Sequence, residues 1–119
     1  MTTIAENSGL VTAINVFTVD PSNQQKLLAL LIRVTETSVL DVPGFVSAAL
    51  HRSVDGTRVT MYAQWRSAEH YQRYQSVRAG PGASPDVAGI LAIASFDPAT
   101  YEVVQVFTGS SGPEAAGRR

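Results

Sequence analysis

A chain of 119 residues with 45% hydrophobic and 16% charged side chains holds one compact domain, with a low charge share for the surface it must wet. The net charge is −1, the pI is about 6.0 and no basic stretch precedes Arg118-Arg119, which argues against a nucleic-acid partner. The absence of cysteine excludes disulfides, thiolate metal sites and cysteine nucleophiles.

Residues 1–9 are polar and read as a flexible N-terminus without the positive start and apolar run of a signal peptide. No stretch reaches the ~20 apolar residues that span a bilayer, so a cytoplasmic location and no membrane partner are expected. Residues 10–20 read as a strand. Val11, Ala13, Asn15 and Phe17 share one face; Thr12, Ile14, Val16 and Thr18 share the other. Asp20-Pro21 starts a helix, with Asp20 as cap and Pro21 at the first position. Leu27, Leu30, Leu31 and Val34 recur at helical spacing, and Val42-Pro43-Gly44 stops the helix near residue 41.

Residues 45–53 and 58–65 are the next two strands, joined by Val54-Asp55-Gly56-Thr57, whose Asp-Gly pair signals a hairpin. Ser67 caps a helix on which Tyr71, Tyr74 and Arg78 share a face. Ala79-Gly80-Pro81-Gly82-Ala83 breaks it. Lacking the Lys-Ser/Thr ending of a phosphate loop, that stretch is a turn. Ser84-Pro85-Asp86 restarts a helix carrying Val87, Ile90, Leu91 and Ala94, which ends before Asp97-Pro98. Residues 101–108 read as the last strand, and residues 109–119 as a disordered tail.

The order β-α-β-β-α-α-β, over residues 10–108, predicts an α+β, ferredoxin-like domain with a four-stranded antiparallel sheet and helices on one face. The opposite face is expected to carry Ile14, Val16, Ala48, Leu50, Tyr62, Gln64, Val104 and Val106. A bare apolar patch of that size is rare on soluble monomers, so a homodimer through sheet faces is expected.

His51 and His70 are the only histidines, and neither has a carboxylate at ligand spacing; no metal site is expected. His70 reads as a solvated first-turn residue. His51 shares a strand face with Ser47 and Ala49. Facing inward it is a candidate general base; facing outward it is a hydrogen-bonded strand histidine. No nucleophile motif is present. There remains an aromatic and amide cluster, which fits either core packing or a pocket. Met61 and Ala63 share the face of Trp65, Asn15 lies between Ala13 and Phe17, and Tyr71 and Tyr74 follow on the next helix. Asn15 is the most informative member, because a mid-strand amide among apolar residues needs a partner. Phe17, Met61, Tyr71, Tyr74 and Arg78 are the candidate substrate contacts.

The run Met61-Tyr62-Ala63-Gln64-Trp65-Arg66-Ser67-Ala68-Glu69-His70-Tyr71 resembles the antibiotic-biosynthesis-monooxygenase family. So do Val42-Pro43-Gly44-Phe45-Val46-Ser47 and Leu50-His51-Arg52-Ser53-Val54-Asp55-Gly56 upstream. The resemblance implies a dimeric α+β barrel with a pocket between sheet and helices in each subunit. The members it looks most like are cofactor-free monooxygenases that convert anthrone-type aromatic polyketides to quinones with O2. In them an Asn on the first strand and the Trp ending the third are implicated in catalysis, which carries over to Asn15 and Trp65. The tyrosine six residues beyond the Trp carries over to Tyr71. On this reading Asn15 donates to an enolate oxygen and no cofactor is needed. A second family Asn, four residues before the Trp, is Met61 here, which cannot donate a hydrogen bond. Heme-degrading members use a later histidine on the following helix, and none follows His70. Two other uses of the scaffold are a polyketide cyclase or isomerase, needing no O2, and a non-catalytic small-molecule-binding protein.

Overall fold

A computed structural model describes residues 3–6, 8–79 and 84–110. Eight elements follow in order: β1 (Val11–Val19), a 3-10 turn (Pro21–Asn23), α1 (Gln24–Ser38), β2 (Phe45–Arg52), β3 (Arg58–Trp65), α2 (Ala68–Ala79), α3 (Pro85–Ile93) and β4 (Ala94–Tyr101). The strands form one antiparallel sheet in the order β2-β3-β1-β4, the ferredoxin-like arrangement. The expected turn at residues 80–83 and the tail beyond residue 110 lie outside the described residues. Among the described residues no helix is long and apolar enough to cross a membrane.

Local chemistry sets the element ends. Asp20 accepts from the Ser22 amide (3.0 Å) and hydroxyl (2.6 Å), and these bonds hold its carboxyl below its ordinary range. Leu27, Leu30, Leu31 and Val34 then bury one stripe of α1. In the β2–β3 hairpin, Asp55 accepts from the Ser53 hydroxyl and from the amide and hydroxyl of Thr57, which pull its carboxyl down to about 2. Gly56 supplies the positive φ of 83° that this turn requires. Ser67 accepts the His70 amide at 3.2 Å and caps α2; Ser84 accepts the Asp86 amide at 3.2 Å and caps α3.

The last strand differs from the sequence expectation. It spans Ala94–Tyr101, and residues 102–108 form no ladder among the described residues. Asp97-Pro98, read as a stop, sits inside it. β4 is an edge strand with β1 as its one neighbour, and an edge tolerates proline because only one side of its backbone must bond. Helix α3 runs directly into β4, so Ala94 is strand rather than helix.

A second correction concerns β2. Phe45 pairs with Trp65 but Ser47 pairs with Gln64, so a bulge at Val46 shifts the register. Beyond it Ala48 and Leu50 face the helices opposite Ala63 and Met61, not the outer face where strict alternation puts them. The outer face carries Ile14, Val16, Tyr62 and Gln64, joined by Ser47, Ala49 and His51. Part of it is covered. Gln64 is buried, accepts from the Ser47 hydroxyl (2.8 Å) and donates to the Thr3 carbonyl. Glu6 accepts from the Val106 amide (2.7 Å) and from Gln105 (3.0 Å), so the two terminal segments are tied together.

Gly44 at the start of β2 has φ +89°, and a Cβ there would overlap the His70 ring. His70 is therefore half-buried against the main chain, not a freely solvated residue. Gly44→Ala should lower stability by about 1–3 kcal/mol in urea unfolding, through left-handed strain and displacement of α2. Gly89→Ala is the control. Its Cβ would meet Leu30 at an ordinary 3.5 Å, and helix propensity favours it by up to about 1 kcal/mol. Equal effects of the two substitutions would contradict the assignment.

Candidate functional site

One face of the sheet, α1, α2 and α3 enclose a cavity of about 190 Å³. Its floor comes from alternate residues of the two central strands: Ala13, Asn15 and Phe17 of β1, and Met61, Ala63 and Trp65 of β3. Asn15 and Met61 are direct cross-strand partners at its centre. Tyr71, Tyr74 and Arg78 line it from α2, Leu31 and Val34 from α1, Ile90 and Leu91 from α3. Seven of the eight residues singled out in the sequence thus border one space. The eighth, His51, does not: the Val46 bulge puts it on the outer face opposite Thr60, where it is exposed. It is the outward-facing strand histidine, and the inward-facing base is set aside.

Trp65 organises the site. It is 1% exposed, meets Phe45 edge-on at 5.4 Å between centroids, stacks on Tyr74 at 5.3 Å and tilts against Tyr71 at 5.5 Å. Arg78 extends the stack, its guanidinium 5.4 Å from the Tyr74 centroid. Across the floor Phe17 packs on Phe96 at 6.0 Å. Sequence reasoning passed over Phe96, which fell at the end of the expected third helix, and gave Phe45 no site role. The bulge at Val46 lies beyond Phe45 and moves Ala48, Leu50 and His51, not Phe45, to the other face.

The polar groups are few and unevenly satisfied. Asn15 Oδ1 and Trp65 Nε1 are buried without a hydrogen-bond partner. Leaving such a group unpaired costs about 1–3 kcal/mol, so each is a position where a ligand gains most by supplying the partner. The unpaired Asn15 atom is an acceptor, whereas the sequence reading casts this residue as a donor; the unpaired Trp65 atom is a donor. Burial raises the hydroxyls of Tyr71 and Tyr74 above their ordinary range, Arg78 partly opposing this, so both stay protonated at neutral pH. Among the described residues Arg78 is the one charged residue lining the cavity, and no carboxylate or imidazole does. Among the described residues no three His, Cys, Asp or Glu side chains gather where they could hold a metal ion. The arrangement can bind a flat apolar molecule and match an O–H and an oxygen on it with an acceptor and a donor.

Because the Asn15 carbonyl oxygen is unpaired in the ligand-free protein, Asn15→Leu, of similar volume, should stabilise it by about 1 kcal/mol. Thermal unfolding reads this directly, and a fall in Tm would show that the amide is satisfied after all.

The family described as antibiotic biosynthesis monooxygenase matches residues 10–79. The tetracenomycin-F1 monooxygenase of Streptomyces glaucescens is 38% identical over 116 residues, covering 98% of this chain and 100% of that protein. A solved monooxygenase from the gene ActVA-Orf6 of Streptomyces coelicolor, in complex with nanaomycin D, is 30% identical with a TM-score of 0.63, over 84% of this chain and 92% of that one. SnoaB from Streptomyces nogalater, a cofactor-independent oxygenase, superposes with a TM-score of 0.62 at 24% identity, over 82% of this chain and 95% of its own; that likeness carries the fold alone. With more than half the chain matched and a relative this similar along its full length, the chain belongs to the antibiotic biosynthesis monooxygenase family.

Proposed function

We propose that the chain is a cytoplasmic, homodimeric, cofactor-independent monooxygenase that oxidises an anthrone-type aromatic polyketide to a quinone with O2. The observation that carries this reading is the pair of buried, unpartnered polar atoms, Asn15 Oδ1 and Trp65 Nε1, bordering an otherwise apolar, ring-lined cavity. A hydroxylated anthrone has a hydroxyl to give to Asn15 and a carbonyl oxygen to accept from Trp65. The activity named for the Streptomyces glaucescens relative agrees with it.

An anthrone carries a C–H acidified by two flanking rings and a carbonyl. Loss of that proton gives an enolate, whose oxygen is stabilised by the Trp65 N–H in a site that excludes bulk water. The enolate passes one electron to O2, and the resulting radicals combine to form a C–O bond. Protonation gives a hydroperoxide. Loss of water then leaves the new carbonyl, with one oxygen atom in the quinone and the other in water. Among the described residues no carboxylate or imidazole lines the cavity, so the first proton passes to a water molecule and the site's task is to make the substrate more acidic. Arg78 and the Trp65 N–H serve that by favouring negative charge on it. Tyr71 and Tyr74, held protonated, can hydrogen bond to the developing peroxide. Phe17 and Met61 supply apolar contact to the rings.

The homodimer reading rests on the outer sheet face and the chain beyond β4. Ile14 and Val16 lie on that face, and the strand-forming run 101–108 leaves Tyr101, Val104 and Phe107 more than half exposed. Sedimentation equilibrium should give about twice 12.7 kDa; a monomer mass at micromolar concentration would overturn this part.

For the activity, chelator-treated protein given emodin anthrone should consume O2 in step with quinone absorbance. Trp65→Phe and Asn15→Ala should each lower kcat by about tenfold to a hundredfold, the effect of deleting one oriented hydrogen-bonding group. Full activity in a folded Trp65→Phe protein would sink the assignment. No uptake, with the fluorescence of the single tryptophan still quenched by anthrone, would replace it with the cyclase or the non-catalytic binder.

A further inference from the structure

A second space of about 330 Å³ opens beside the first, between the end of α1, residues 42–43, α2 and the start of α3. The two share Val34, Tyr74, Arg78 and Val87 in their walls, so they are neighbouring chambers. Helix geometry explains the gap. α1 packs on α3 and α2 packs on β3, which leaves α1 and α2 apart.

The face of α2 along this gap, at spacings of three and four, carries His70, Arg73, Tyr74, Val77 and Arg78. A stripe turned toward a neighbouring helix is ordinarily apolar. Here it presents two guanidinium groups and an imidazole against Val34, Val42 and Val87. Among the described residues no Asp or Glu lines the chamber. The nearest acid in the adjoining helix, Asp86, is held by Arg33 at 2.9 Å, the one ion pair among the described residues. Neither the exposed Arg73 nor the half-buried Arg78 has an ion-pair partner among the described residues, and Arg78 also rests on Tyr74, which stacks on Trp65. The His70 ring has a set orientation. Ser67 Oγ accepts the His70 main-chain N–H at 3.2 Å and lies 2.7 Å from Nδ1.

We propose that this chamber is a second substrate subsite, taking a carboxylate carried on the aromatic ring system through Arg73, Arg78 and His70 while the rings fill the apolar cavity. It deepens the oxygenase reading and rests on it for the identity of the rings. Planar, forked guanidinium groups suit a carboxylate, and Tyr74 and Arg78, which border both chambers, are the side chains a substituent reaching from the first into the second would pass. Arg73 is the discriminating residue, because it lines the second chamber and not the first.

The test compares two anthrones that differ at one substituent, rhein anthrone with a carboxylate and chrysophanol anthrone with a methyl group. Wild type should prefer the acid in kcat/KM. Arg73→Gln should lower the acid-to-methyl ratio of kcat/KM by about tenfold, mostly through KM, and Arg73→Lys should restore part of it. A loss of packing would slow both substrates alike, so an unchanged ratio overturns the proposal. If neither anthrone is oxidised, the oxygenase reading fails by itself. The subsite is then decided by calorimetric Kd values for the quinones rhein and chrysophanol, in which the same ratio should appear and fall in Arg73→Gln, and equal affinities would overturn it. Benzoate tests whether the chamber serves free anions. Benzoate binding as tightly as rhein would overturn the assignment to a ring-borne carboxylate.

Discussion

Helix α2 has almost no apolar stripe of its own, and what fixes it over the sheet is the contact of Tyr71 and Tyr74 with Trp65. Among its described residues Tyr71 alone is buried, and the sequence Ala68–Ala79 is mostly polar. Trp65 can play this part because it ends β3 on the helix side of the sheet, with Phe45 of β2 braced against its edge. The positive φ of Gly44 brings that ring to it. The Gly44 carbonyl accepts the Arg66 amide at 2.8 Å, which ties the start of β2 to the end of β3 where α2 begins. The cavity wall, the stacked rings and the placement of Arg78 all follow from this one corner. Truncating a buried aromatic anchor of this kind typically costs about 3–5 kcal/mol, most of what a domain this size has in reserve.

The same corner holds a conflict between stability and function. A tryptophan buried for packing alone would have its N–H satisfied, and a strand residue placed for packing alone would not be asparagine. Both polar atoms stay unpaired in the free protein, each a local cost that a ligand can relieve. Natural sequences break such local rules mainly at functional sites, which is why these two residues weigh more than the ring count of the cavity.

Much of this was legible from the sequence because the signals were local. Asp20-Pro21, Asp55-Gly56, Ser67 and Ser84-Pro85 each act through a cap or turn within a few residues, and the structure places elements where they point. The inward face of β1 followed from alternation, since no bulge interrupts that strand. What failed depended on neighbours that a linear reading does not see. Pro98 is harmless because β4 happens to be an edge. Ala48, Leu50 and His51 changed faces because one extra residue, Val46, entered the ladder. The run 101–108 has the composition of a strand, yet only its first residue, Tyr101, joins the ladder, and residues 102–108 pair with no strand among the described residues. The second chamber was invisible for a related reason: His70 reads as a solvated first-turn residue, and Arg73 carries no signal, until the separation of α1 from α2 is known.

The substitution of Met61 for the asparagine expected from the family pattern acquires a meaning once the register is known. Met61 is the direct cross-strand partner of Asn15, so a second amide there would sit beside the first and could satisfy it. With methionine in that place the Asn15 carbonyl oxygen stays open, and the thioether adds apolar surface to the floor. The loss of one donor thus leaves a sharper demand on the ligand, which must bring a hydroxyl to Asn15 and an acceptor to Trp65. Strand spacing sets how far apart those groups stand. Asn15 pairs with Met61, four residues before Trp65, so the two main-chain positions are separated by about 13 Å along the strands, at roughly 3.3 Å per residue. Side chains on one sheet face stand roughly parallel to each other, so a separation of that order suits a fused-ring molecule better than a single ring.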